Sequence, residues 1–571
     1  MTDNTQTSTP PPLQVLPTAK ERKYDRQLRL WGATGQVALE ESHVLLVNSG
    51  TGVTGIETLK NLVLPGVGNF TVQDSHIVTE ADLGVNFFLD DESLGKFRAT
   101  ETMRLLKELN PDVRGSAIIE PIETLVTTRD AFASYTLILV AAPVDPNILA
   151  IIQEHAIRTN TPLFYFHCVG FYSHFSVQLP LAFPIVDTHP DPTSTEDLRL
   201  LKPWPQLSQF ADQMTAKSGM TDHEKGHLPY IVILLRVIER WKEEHGGNAP
   251  ESYKDKVALR NLVREEGGDE ENYQEAYNTV LKSLVPPTLP SAVREILTAP
   301  EATDLSVNTA SFWVIAHAVR LFYEKHAVLP LPGSVPDMKA QSSDYIQLQK
   351  IYKDKARADA AEVLSNVRTL EKQLGRAKTI ETAEVENFCK GAAQIHLVRG
   401  RPFPVAQAGQ KLQFKDRAKA LASRLTDPDS LLGLYLAFQA FDEFAASHAT
   451  PITTSADSTD QSSIRVPGSS DLELEGDEDK LTGIAHKFLD ALLNEAGTSI
   501  DDPEYSELKD ALGKICVELT RAGGAELHNI ASLTGGMIAQ EVVKVVTAQY
   551  VPVDNTCVFD GIESKSSVLR I

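Results

Sequence analysis

The stretch from 43 to 74 constrains this chain more than any other: HVLLVN is a short apolar strand, SGTGVTG a glycine-rich turn, IETLKNLVLPG a helical pattern and FTVQD a second strand. Two strands joined through a helix spell a parallel βαβ unit, because parallel neighbours need a crossover between them. Gly50, Gly52 and Gly55 form GxGxxG, which lets backbone N–H groups approach a phosphate at a helix N-terminus. Asp74 ends the second strand, within reach of ribose hydroxyls. The same residues also suit a purely structural role, in which the glycines allow tight strand-to-helix packing and Asp74 caps a turn. Taken alone, the motif points to an oxidoreductase binding NAD or NADP through Gly50, Gly52, Gly55 and Asp74.

The pattern continues through a helix at about 96 to 109, the strand TLILVAA, a helix around ILAIIQEHAIR and the strand PLFYFHCVG, a doubly wound α/β sheet. It then turns helical for some three hundred residues, and AELHNIASLTGGMIAQEVVKVVTAQY with CVFDG returns to helix and strand, completing the first sheet from a distance. The expected organisation is a flexible tail at 1–18, a first α/β segment at 19–180, a helix-rich insert at 181–505 and a second α/β segment at 506–571. Within the insert, the polar, acidic stretch 453–480 reads as a mobile loop. An excess of 77 acidic over 54 basic residues disfavours nucleic acid and anionic membranes as partners. Four scattered cysteines without a CxxC pair argue against a disulfide scaffold or thiolate zinc site. There is no signal-like N-terminus and no run of ~20 apolar residues, so a soluble intracellular protein is expected.

KYDRQLRLWG (23–32), VLLVNSGTGVTGIETLKNLVLPGVGNFTVQD, NFFLDDESLGKFRA, LKELNP and ELHNIASLTGGMIAQEVVKVVT resemble, in order and spacing, the ThiF/MoeB-type adenylation domain of ubiquitin-like-protein activating enzymes. DTHPDPTSTEDLRLLKPWPQL, PSAVREI, SFWVIAHA, LPGSVPDM and YIQLQKIYKDKARADAAEV extend the resemblance through the insert, to the regulatory subunits of heterodimeric neddylation-activating enzymes. The resemblance implies a Rossmann-like pseudo-adenylation domain built from two segments, and a cysteine-domain half without a nucleophile. It implies a catalytic subunit as partner, with ATP and magnesium bound there, a Nedd/Rub-type modifier, a conjugating enzyme, onward transfer to cullins, and a cytoplasmic or nuclear location.

Several positions depart from the active pattern of that family. Val53 stands for the third loop glycine, His76 for the second acid of DxD, and Val85 for the arginine that contacts ATP phosphates. Lys96 and Asp74 remain, as part of a vestigial loop with Gly50, Gly52 and Gly55. Asp145, in PVDPN, is a magnesium candidate by proximity only, and an Asp between two prolines is common turn chemistry. Cys389 is the one cysteine inside the insert; with Cys168, Cys516 and Cys557 it reads as structural. Arg26 matches the arginine that the family lends in trans to the partner's ATP site, with Arg29 as second choice. Without the resemblance, Arg26 would be paired with Asp25 or Glu21 on a solvated helix. A self-sufficient adenylating enzyme, or the oxidoreductase above, are the alternatives.

Three further features are read as structural. His223-Glu-Lys-Gly-His227 is literally HExxH, but Gly226 weakens the helix that a zinc pair needs. EEGGDEEN (265–272) reads as a solvated loop, and Trp204, Trp241 and Trp313 as core or interface anchors.

Overall fold

The computed structural model describes residues 17–191, 197–216, 220–267, 269–284, 288–427, 429–448, 464–470, 472–498 and 503–571. Most of the expected tail and residues 453–463 and 471 of the expected acidic loop lie outside these. Ten strands are found among the described residues: β1 (His43–Val47), β2 (Asn69–Gln73), β3 (Arg114–Ile118), β4 (Leu137–Ala141), β5 (Leu163–Val169), β6 (Tyr172–Gln178), β7 (Phe183–Val186), β8 (Ile395–Val398), β9 (Thr556–Asp560) and β10 (Lys565–Leu569).

The chain divides into two compact units. The first, residues 1–181, 399–547 and 552–571, holds an eight-stranded sheet in the order β10-β9-β6-β5-β4-β1-β2-β3. β3, β2, β1, β4 and β5 run parallel, and β6, β9 and β10 extend the edge antiparallel. Every residue of β4 and β5 is buried, which is why they read as unbroken apolar runs rather than alternating ones. Gly52 sits at φ +67°, a conformation that favours glycine, and a Cβ on Gly55 would lie 2.8 Å from Leu46, so only glycine lets the Val53–Val63 helix settle on β1.

The insert ends earlier than the expected 505. β7 and β8 pair antiparallel, Phe183 opposite Val398, and the second unit spans 182–398 with 548–551. The described residues of 399–505 group instead with the sheet. The Leu432–Ser447 helix is apolar nearly all round and packs in one core with Val169, Tyr172, Val558 and Leu569; a helix with no polar face gives no sequence signal of what covers it. Part of the expected acidic loop is also ordered: the Leu474–Ala496 helix begins there, and its buried Asp477 accepts from Arg465 Nη2 at 2.7 Å and Gly468 N at 3.0 Å.

In the second unit the expected helices are present as Tyr230–Glu244, Ser311–His326 and Ser342–Leu374. Trp204 and Trp241 are buried in one cluster and Trp313 in another. The acidic run is not a simple loop: it ends the Tyr253–Gly267 helix and opens the Glu271–Ser283 helix, where buried Asn272 donates to Lys225 O and Leu228 O. HExxH falls on a helix of four residues that stops before His227, and both histidines are exposed. No helix among the described residues is long and apolar enough to cross a membrane.

Candidate functional site

In a doubly wound sheet, ligands bind at the carboxyl ends of the strands where the order reverses, here between β1 and β4. The glycine loop and the N-terminus of the Val53–Val63 helix point there. A side chain of the chain itself occupies this anion seat. Gly170 N donates to Ala525 O at 2.8 Å just past β5, bringing Glu526 to the loop from the far end of the sequence. The Glu526 carboxylate accepts from Thr51 Oγ1 at 2.5 Å, Val53 N at 2.6 Å and Thr54 N at 3.3 Å. These backbone donors are the unsatisfied N–H groups of a helix start, and the helix dipole favours a negative charge at that spot.

The ribose-type carboxylate is engaged as well. Asp74 Oδ2 accepts from Arg98 Nε at 2.6 Å and Asn48 Nδ2 at 3.0 Å, and its Oδ1 from His76 N and Nδ1, each at 3.0 Å. Burial pushes its carboxyl up, but the Arg98 guanidinium and His76 outweigh this and hold it below the usual carboxylate range. Arg98 also donates through Nη1 to Asp82 Oδ1 at 2.9 Å, so one buried guanidinium neutralises two acids. At the crevice mouth Ser49 Oγ donates to Pro143 O at 2.6 Å, and a Cβ on Gly50 would lie 3.0 Å from Pro143. In this arrangement the groups that a nucleotide–magnesium pair needs are engaged with one another, and the residues present do not fit it.

The other candidates are dispersed. Lys96 is half exposed, 3.8 Å from Glu101, and Val85 packs in a small apolar cluster with Val53 and Cys168. Asp145 caps the Pro146–Thr159 helix, accepting from Asn147 N at 2.7 Å. All four cysteines are buried. Burial pushes Cys389 and Cys516 up to about 12 and Cys557 to about 11, and raises Cys168 too, so none is a ready thiolate.

Arg26 and Arg29 lie on the Asp25–Glu41 helix, which is kinked at Gly32. Arg29 pairs with Asp25 at 3.0 Å, and Glu21 accepts from Thr18 N. Both acids expected to hold Arg26 are thus engaged elsewhere, and Arg26 is exposed. Glu526, Arg98 and Asn48 were not singled out from sequence. Arg98 lies in the KFRA phrase and Glu526 in the AELHN phrase, but their roles depend on partners remote in the chain.

The fold and glycine loop are those of an adenylation-type protein, and residues 24–571 match the ThiF family. The NEDD8-activating enzyme E1 regulatory subunit of Xenopus laevis is 36% identical over 564 residues, covering 97% of this chain and 99% of that protein. The Danio rerio protein of the same name is 34% identical, with 97% and 99% covered, and the regulatory subunit AXR1 of Arabidopsis thaliana 33% identical, with 96% of each covered. The chain belongs to the family of NEDD8-activating enzyme E1 regulatory subunits.

Proposed function

We propose that this chain is the non-catalytic, regulatory half of a heterodimeric activating enzyme for a NEDD8/Rub-type modifier. Its partner binds ATP and magnesium, adenylates the modifier's C-terminus and supplies the thiol that accepts it, before transfer to a conjugating enzyme. The observation that carries this reading is Glu526 on the anion seat of the Val53–Val63 helix. A triphosphate entering there would have to displace a hydrogen-bonded carboxylate of its own sign. The buried cysteines support the absence of an acyl acceptor on this chain.

What the chain lends in return is Arg26, whose guanidinium is exposed at the N-terminal helix. Reaching the partner's site, it stabilises charge on the triphosphate as the adenylate forms, as an arginine finger does. ATP–pyrophosphate exchange with purified modifier tests both parts. Exchange is expected only from the complex, and Arg26→Ala lowers its turnover. Exchange by the isolated chain would overturn the silent reading; unchanged turnover in Arg26→Ala would remove the trans arginine alone.

A further inference from the structure

His167 on β5 and His174 on β6 stand directly opposite each other in the antiparallel register. Opposed residues project from the same face of a sheet, and that face is covered by the Leu432–Ser447 helix, which brings Asp442 to them. One ligand atom from each of the three side chains lies within 4.8 Å of the other two. Both histidines are buried, and among the described residues neither ring nitrogen of His174 has a hydrogen-bond partner; nor does Nδ1 of His167, although it lies 3.0 Å from Asp442 Oδ1. The second carboxylate oxygen of Asp442 accepts from Tyr165 Oη at 2.7 Å. Phe438 and Phe441 wall the cluster, and the buried Tyr435 hydroxyl beside it is also without a partner.

Buried polar atoms are hydrogen-bonded in the great majority of cases, and a convergent group that is not calls for a missing partner. The geometry points to a divalent transition-metal site formed by His167, His174 and Asp442. Two imidazoles with one carboxylate suit zinc or cobalt rather than magnesium or calcium, which prefer all-oxygen shells. Tetrahedral zinc with bonds near 2.0–2.1 Å places its ligand atoms about 3.3 Å apart, a contraction that small side-chain rotations supply. The Tyr165 hydrogen bond orients the carboxylate, as a group behind a metal ligand commonly does. With ligands from two strands and one helix, both histidines buried and the Asp442 side chain 12% exposed, the ion would pin the helix to the sheet and take a water as its fourth ligand. It is independent of the nucleotide crevice and of the proposed function.

The test uses the full-length chain purified without metal-affinity resin. Elemental analysis is expected to find about one equivalent of zinc per chain. After chelation, cobalt titration should give the visible d–d bands of a tetrahedral site with nitrogen and oxygen ligands, and returning zinc should raise the thermal midpoint. His174→Phe and Asp442→Asn should lose the bands. Absence of bound metal, together with no cobalt bands and no midpoint shift at large metal excess, would overturn the site; bands that persist in a folded His174→Phe protein would do the same. If neither variant folds, titration of the wild-type chain decides the matter alone.

Discussion

The glycine loop and the β5–β6 histidine pair are buried polar clusters in the same unit, and they are completed in opposite ways. Around the loop each carboxylate is met by donors from its own chain: Glu526 by Thr51, Val53 and Thr54, Asp74 by Arg98, Asn48 and His76, Asp82 by Arg98 and Thr79. Around the histidines, three ring nitrogens and a tyrosine hydroxyl have no hydrogen-bond partner among the described residues. Carboxylates already met by donors have little left to offer a cation, although the loop keeps unpartnered atoms of its own at Asn48 Oδ1, Thr54 Oγ1 and Arg98 Nη2. Imidazole nitrogens that converge on a carboxylate without hydrogen bonds mark where a cation would lower the free energy, even when nothing about their sequence resembles a binding motif.

The contrast is broken most severely by removing the cation that meets the loop's carboxylates. Arg98→Met leaves Asp74 and Asp82 without their shared counter-ion and is expected to cost about 3–5 kcal/mol in urea unfolding, the scale seen when one side of a buried pair is deleted. A loss well under 1 kcal/mol would mean that water already reaches these carboxylates. Glu526→Ala strands two backbone N–H groups and the Thr51 hydroxyl, and should cost about 1–3 kcal/mol by the same measurement.

Acid separates the same network more gently. Because the folded Asp74 carboxyl titrates below its unfolded value, its contribution is full above pH about 4 and is lost as the pH falls through the folded value. The Arg98→Met chain should therefore show a flatter loss of unfolding free energy between pH 5 and 3 than the wild type, judged from urea curves at each pH on an order-of-magnitude scale. At the unsatisfied end, His174→Phe in chelated protein should change stability by less than about 1 kcal/mol, and can raise it, since it removes two unpartnered buried nitrogens. A large destabilisation there would show that those nitrogens already have partners in solution, and the comparison would fail.

The sheet was legible where its strands are buried on both faces: HVLLV, LILVA and LFYFHCV are apolar apart from His43 and His167. β3, RGSAI, and β10, KSSVL, were not, because outer strands carry polar residues that give no sustained apolar run. The glycine loop and Asp74 could be picked out from a local motif. Glu526 could not, since it meets Thr51 across 475 residues of chain. Asp145, between two prolines, reads as turn chemistry more than as a ligand, and its bond to Asn147 N shows it capping a helix. His167 and His174 are seven apart in an apolar stretch, a spacing that carries no metal signature until β5 and β6 are seen to fold back on each other.

The pairing of β6 with β9 sets an order of events for the growing polypeptide. Ser176 and Thr556 meet across 380 residues. At roughly 5–20 residues per second, a ribosome leaves that flank of the sheet uncovered for about 20 to 75 s. Throughout that interval a row of unpaired N–H and C=O groups is available to any passing extended segment. Loss of the last sixteen residues, which carry β9 and β10, would make that exposure permanent. Truncation near the C-terminus is therefore a hazard to solubility, although it removes no residue from the nucleotide crevice or the metal cluster.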